Sequence, residues 1–175
     1  LSELRDEIIY QIAALDGFCR IQGGKVRFVK PHGALYNTAA VDEWQASAIV
    51  AAIIDFDKSL PVLCQPNSIL ASAATRAGIQ VVGEGYADRA YQRDGTLVPR
   101  TLPGAVIKDP DVVAARAFRL ASAGEVVAED GSLVRCPVQS LCLHGDTPGA
   151  VELARRLRDS LTNAGVDLGP FVPMR

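Results

Sequence analysis

The sequence predicts an α/β protein built around a parallel sheet, and three observations point there. Apolar stripes at helical spacing alternate with short runs rich in β-branched and aromatic residues. The helical segments run to about ten to fifteen residues, long enough to cross between parallel strands. Polar residues gather just beyond the strands, where parallel sheets place their ligands. No linker, low-complexity segment or close repeat interrupts this pattern, so residues 1–175 are expected to form a single domain.

Taken in order, Leu4, Ile8, Ile12, Leu15 and Phe18 form an apolar helical stripe, with Ser2 as its cap and Gly23-Gly24 as its stop. Val26 to Val29 reads as a short strand broken by Pro31. Asp42 to Phe56 is a strongly apolar helix on which Trp44 and Phe56 read as core. Val62 to Cys64 is a strand, Ser68 to Ala77 a helix closed by Gly78, and Ile79 to Val82 a strand ending at Gly83-Glu84-Gly85. Tyr86 to Lys108 reads as irregular, and its length argues for function rather than mere connection. Asp109 caps a helix with Pro110 in its first turn, running to about Ser122. Val126 to Ala128 and Leu133 to Arg135 flank a turn and form a hairpin. Ser140 to Leu143 is the last strand, and Thr147 caps a helix with Pro148 in its first turn, closing at Gly165.

Composition narrows the function. The 175 residues are 49% hydrophobic and 22% charged, with a net charge of −2. That balance fits a globular domain with one core. Lys and Arg are scattered rather than blocked together, which argues against a nucleic-acid partner or an electrostatic membrane anchor. The most apolar stretch, Ala46 to Phe56, is too short to span a bilayer, and the opening residues do not read as a signal peptide. Leu1 already looks internal to a fold, so sequence is expected before it. Cys19, Cys64, Cys136 and Cys142 form no C-x-x-C pair and sit among apolar neighbours, as in a reduced, cytoplasmic protein. Cys142 lies two residues before His144, but its surroundings fit a core position better than a nucleophile.

Three groups carry chemistry. Lys30 and His32 follow the first strand and lie on one side of an extended chain. Lys30 offers a point charge to a carboxylate or phosphate. His32 alone would fit a structural histidine as well as a reactive one, and Asn37 could orient a ligand or cap the next helix. Glu84, Asp88, Arg89 and Tyr91 follow a later strand. Arg89 could grip a carboxylate by two parallel bonds, or pair with Asp88 at the surface. His144, Gly145, Asp146 and Thr147 follow the last strand. Asp146 could accept a proton, position water or cap the helix, and the helix start at Thr147-Pro148 suits an anion such as phosphate. Both histidines of the chain fall at strand ends, which argues for one shared site. A P-loop, a G-x-G-x-x-G turn and a G-x-S-x-G elbow are all missing from the sequence.

Four segments resemble signatures of the LamB/YcsF family. Lys30-Pro31-His32-Gly33-Ala34-Leu35-Tyr36-Asn37 is similar to its K-P-H-G-A-L-Y-N motif. Glu84-Gly85-Tyr86-Ala87-Asp88-Arg89-Ala90-Tyr91 is similar to its E-x-[FY]-A-D-R-x-Y segment. Leu97-Val98-Pro99-Arg100 with Pro103-Gly104-Ala105-Val106, and His144-Gly145-Asp146-Thr147-Pro148-Gly149-Ala150, complete the set. The resemblance implies a distorted (β/α) barrel, similar to the glycoside hydrolase and deacetylase barrels. It implies the A subunit of a cytoplasmic enzyme that opens 5-oxoproline to L-glutamate at the expense of ATP, working with 5-oxoprolinase subunits B and C. ATP, with Mg2+, is then a co-substrate, and no tightly bound cofactor is expected; a homo-oligomer is compatible with the sequence. Carried over by motif, Lys30 and Arg89 would hold the substrate carboxylate or phosphate, with Asn37, Glu84, Tyr91 and Thr147 beside them. His32 and His144 would move protons, and Asp146 or Asp88 would act as base or orienter. The family's upstream patterns N-x-D-x-G-E, G-F-H-A-G-D and G-A-H-P are not in this sequence, so it is expected to hold roughly the C-terminal two thirds of a barrel incomplete at its N-terminus. Two rival readings are a metal-dependent deacetylase or other hydrolase on the same barrel, with His32, His144 and Asp146 as ligands, and a non-catalytic scaffold subunit.

Overall fold

The computed structural model describes residues 1–145 and 149–172. The chain divides into two compact units, Leu1–Val82 and Gly83–Arg175. Helices and parallel strand pairs are present in both, as the α/β expectation requires.

In the first unit, α1 spans Ser2–Ile21. Its cap residue is Leu1 rather than Ser2, and no side chain caps it. At its other end Gly23 takes φ +75°, the Gly23 amide donates to Arg20 O and the Gly24 amide to Cys19 O, closing a Schellman turn. The inward face is Leu4, Ile8, Ile12 and Asp16 at four-residue steps. Leu15 and Phe18, expected on that stripe, are exposed. The three-residue steps to them carry the stripe off the side that meets the core.

Val26 to Val29 does not form the expected strand. The Val26 amide is taken by the Asp16 carboxylate at 2.9 Å, and only Val29 forms a parallel bridge, to Val62. A short helix that the sequence does not predict, α2 (Gly33–Thr38), follows. Next, α3 (Glu43–Asp57) is capped by Asp42, which accepts from the Gln45 amide at 2.7 Å. Its buried face is Ala46, Ile49, Val50 and Ile53; Trp44, expected in the core, points away and is 52% exposed. β1 (Val62–Cys64) is wholly buried, and α4 (Ile69–Arg76) is capped by the Ser68 hydroxyl. These elements share one apolar cluster that includes Ile12, Ile49, Ile53, Val62 and Leu70. Full burial of each Ile or Leu there contributes about 1.5–3 kcal/mol.

β2 (Val81–Tyr86) contributes its first two residues to the first unit and its last four to the second. It starts later than expected and runs on through Gly83-Glu84-Gly85. Gly85 is a packing requirement rather than a break: a Cβ there would meet Val138 Cγ1 at 3.1 Å and the Leu120 methyls at 3.3 Å. In the second unit, α5 (Pro110–Ala123) is capped by Asp109, which accepts from the Asp111 and Val112 amides. β3 (Glu125–Val127) and β4 (Leu133–Arg135) pair as the expected antiparallel hairpin. β5 (Ser140–Cys142) runs parallel to β2, with Glu84 opposite Ser140 and Tyr86 opposite Cys142. α6 (Ala150–Asn163) begins after Gly149 at φ +83°. Thr147 and Pro148, expected as its cap and first turn, lie outside the described residues. Residues 86–108 are less irregular than their composition suggests, since Arg89 bridges Val106 and Tyr91 bridges Leu97. Among the described residues, no helix is long and apolar enough to cross a membrane.

Candidate active site

The strand ends of the second unit bring together two of the expected residues. Asp88 lies two positions beyond β2 and His144 two beyond β5, and the parallel pairing of those strands carries both to the same end. Asp88 Oδ2 sits 2.8 Å from His144 Nδ1 and accepts the His144 backbone N–H at 3.1 Å. An ionised carboxylate only accepts, so Nδ1 is the donor in this contact, and a neutral ring held this way presents Nε2 as its free acceptor. The two side chains differ in access: Asp88 is 5% exposed and His144 is 23% exposed. Solvent or a substrate therefore meets the imidazole, while the carboxylate stays behind it. The other carboxylate oxygen, Oδ1, is buried without a hydrogen-bond partner among the described residues.

The surroundings fix the ring. Tyr86 stacks on His144 with ring centroids 5.6 Å apart and planes 22° from parallel. The Tyr86 hydroxyl donates to the buried Glu84 carboxylate at 2.8 Å. Glu84 thus lies inside a strand and anchors the stacking ring, rather than standing at a strand end as a ligand contact.

Arg89 is buried, and neither of its expected roles matches where it goes. Its Nε donates to Ala105 O at 3.1 Å and its Nη2 to Val98 O, so the guanidinium braces the 89–106 loop and does not pair with Asp88 at the surface. Burial pulls its pKa down. Tyr91 is likewise buried, its hydroxyl accepting from the Tyr86 amide at 2.8 Å, and burial drives its ionisation upward. Both side chains hold the loop through these bonds.

Lys30, His32 and Asn37 belong to the first unit. Lys30 Nζ lies 5.8 Å from the Tyr36 ring centroid, within cation–π range. His32 is exposed, with extended backbone just before α2, and its side chain makes no capping bond. Asn37 caps nothing: it lies within α2 and donates from Nδ2 to Gly33 O at 3.2 Å. Asp146 and Thr147 fall outside the described residues. Among the described residues, no three His, Cys, Asp or Glu side chains converge where a metal ion could sit.

Two residues at this site give no sign of their role in the sequence. Tyr86 sits inside a recognisable motif, but stacking against a residue 58 positions away leaves no local signal. Arg116, on α5, has its Nε 3.1 Å from Ala87 O and its Nη2 2.7 Å from Arg89 O, on either side of Asp88. It reads in sequence as one more polar position on an amphipathic helix.

An aspartate–imidazole pair lies beyond two adjacent parallel strands, the end at which α/β barrels place their active sites. The LamB/YcsF family pattern matches residues 1–175, and the chain belongs to that family. It is similar to the 5-oxoprolinase A subunit of Streptomyces avermitilis, with 52% identity over 97% of this chain and 68% of that protein. It is also similar to the 5-oxoprolinase A subunit of Symbiobacterium thermophilum, with 48% identity over 95% of this chain and 64% of that protein. A crystal structure of the lactam utilization protein from Thermus thermophilus superposes with a TM-score of 0.89 at 41% identity, covering 97% of this chain and 68% of that one. The TIM-like barrel fold expected from the sequence is the fold this neighbour supports. The chain spans about two thirds of the length of the curated relatives it matches.

Proposed function

We propose that this chain acts as the A subunit of an ATP-dependent 5-oxoprolinase, opening 5-oxo-L-proline to L-glutamate, with His144 as the proton-moving group and Asp88 as its orienter. The observation that carries the reading is the 2.8 Å contact between Asp88 Oδ2 and His144 Nδ1. The names of the relatives supply the substrate class.

The chemistry follows from the substrate. A lactam is a stabilised amide and a poor electrophile, so water alone opens it slowly. ATP, with Mg2+, would supply the activating phosphoryl group for the lactam oxygen. The residues of this chain supply the other half. Asp88 fixes the imidazole in the tautomer whose Nε2 can take a proton from the attacking water. As that proton arrives the ring becomes cationic, and the carboxylate behind it stabilises the charge. The same Nε2 can then return the proton to the departing nitrogen, which leaves an acyl phosphate, and a second water would release inorganic phosphate from it to give glutamate. Subunits B and C are the expected partners and the cytoplasm the expected compartment.

The test is ATP-coupled glutamate formation by the full-length protein assembled with its partner subunits. His144→Ala should lower kcat by about 1,000-fold or more, the scale seen when a general base is removed from an oriented pair. Turnover within about tenfold of the parent would remove His144 from this role.

A further inference from the structure

We infer that Arg116 is a positioning residue for the Asp88–His144 pair, holding the backbone on both sides of Asp88 so that the carboxylate stays on the imidazole. The inference rests on the reading of that pair as the reactive one.

Three successive carbonyls surround Asp88, and all three are bonded. The Asp88 carbonyl accepts from the Ile107 amide at 2.9 Å, which is a main-chain contact. The Ala87 and Arg89 carbonyls both accept from one side chain, Arg116, at 3.1 and 2.7 Å. Its third nitrogen reaches Val127 O at 3.2 Å, tying the same guanidinium to β3. The plane also lies over the Tyr91 ring, 6.0 Å from its centroid, and Tyr91 in turn accepts from the Tyr86 amide. One cation thus links α5, β3 and the segment 86–91 that carries both Asp88 and the ring stacked on His144.

The choice of arginine has a physical reason. The guanidinium is planar and presents its donors in a fixed fork, so it can bond two carbonyls two residues apart and a third across the gap. A lysine ammonium reaches one such oxygen well, and it costs more to desolvate. Burial lowers the Arg116 pKa, while the negative charge of Asp88 acts the other way. Misplacing a reacting group by about 1 Å can cost about 100-fold in rate. Freeing the Ala87 and Arg89 carbonyls is the kind of change that would allow such a shift.

The test uses Arg116→Ala and Arg116→Lys in the full-length protein, with circular dichroism and thermal midpoint as checks of folding. Two readouts follow. In the assembled enzyme, Arg116→Ala should lower kcat by about 100-fold with KM nearly unchanged, and Arg116→Lys by about tenfold. In the protein alone, two-bond 1H–15N spectra of labelled histidine report which ring nitrogen carries the proton. The His144 signals, assigned by their loss in His144→Ala, should show an Nδ1-protonated ring in the parent and a mixture of tautomers in Arg116→Ala. A folded Arg116→Ala variant with parental kcat, or with an unchanged His144 tautomer, overturns the inference. If the alanine variant does not fold, the lysine variant decides by the same two readouts. The spectra need no turnover, so they judge Arg116 even if His144→Ala keeps full activity and the proposed reaction fails.

Discussion

In the first unit Asp16 is buried with both oxygens engaged: Oδ2 accepts from Arg20 Nε at 2.5 Å and Oδ1 from the Val26 amide at 2.9 Å. In the second unit Asp88 is buried with Oδ2 on His144 and Oδ1 unpartnered among the described residues. The same side chain closes one local structure completely and leaves the other with capacity to spare. Asp16 ties the end of a helix to the chain that leaves it. Asp88 holds a titratable ring whose second nitrogen is left for something else. A buried acceptor without a partner costs about 1–3 kcal/mol, so among the described residues Asp88 is the costlier of the two aspartates to bury. That contrast separates the two buried aspartates more sharply than burial does.

The largest expected effect comes from breaking the Asp88 side of the comparison. Asp88→Asn keeps the size of the side chain but presents either an amide N–H or a neutral oxygen to His144 Nδ1. The imidazole then loses its fixed tautomer and its counter-charge. The kcat for the proposed ATP-coupled lactam opening should fall by about 1,000- to 10,000-fold, the scale associated with removing the carboxylate from an oriented acid–imidazole pair. The thermal midpoint should stay near that of the parent, because an amide can still accept from the His144 backbone N–H. A large loss of stability with little loss of kcat in the folded fraction would place Asp88 with Asp16.

Breaking the Asp16 side should move stability and its pH dependence, and leave chemistry alone. The Arg20 hydrogen bond, helped by the Val26 amide, holds the Asp16 carboxyl below the usual carboxylate range. A depressed pKa contributes stability above the unfolded value, near pH 3.9, and that stability is lost as pH falls through the lower folded value. Asp16→Asn removes the titration. The gap in thermal midpoint between parent and variant should therefore be full at neutral pH, narrow below about pH 4 and vanish at still lower pH. A gap that widened on acidification would reverse the assigned sign. Arg20 is largely exposed, so added salt should also shrink the gap.

Much of this fold can be read along the chain because local chemistry sets it. Asp109 caps the helix it is expected to cap, Asp42 and Ser68 stand at the starts of helices read to begin with them, and Gly23-Gly24 stops α1. The failures occur where a distant partner decides. Val26 to Val29 has strand composition, yet its first amide is claimed by Asp16 ten residues earlier. Gly83-Glu84-Gly85 looks like a strand terminator, but Gly85 is needed because Leu120 and Val138 press on that position. At the site, Asp88 and His144 were visible as strand-end residues. Arg89 and Tyr91 were visible for the same reason, and their side chains turn out to serve the loop. Arg116 was invisible, because three carbonyls from two segments distant from it in sequence make no pattern.

The smallest effect concerns the helix caps, and it extends the comparison to capping aspartates in both units. Asp42 accepts one amide, that of Gln45 at 2.7 Å, whereas Asp109 accepts two, from Asp111 at 2.9 Å and Val112 at 3.3 Å. Pro110 follows Asp109 directly and has no N–H, so α5 starts with one fewer donor to satisfy and with φ already set. Each substitution to Ala should cost about 1 kcal/mol, within the usual range for a cap of this type. Native-state hydrogen exchange separates the two sites. Asp42→Ala should speed exchange at Gln45 and leave Val112 protected, and Asp109→Ala should do the reverse. Neither should alter kcat, since neither aspartate touches the segment that carries Asp88. A cap variant that lowered kcat as much as Arg116→Lys would mean that the Asp88–His144 geometry answers to helix starts in general, and that the forked contact from α5 has no special part in it.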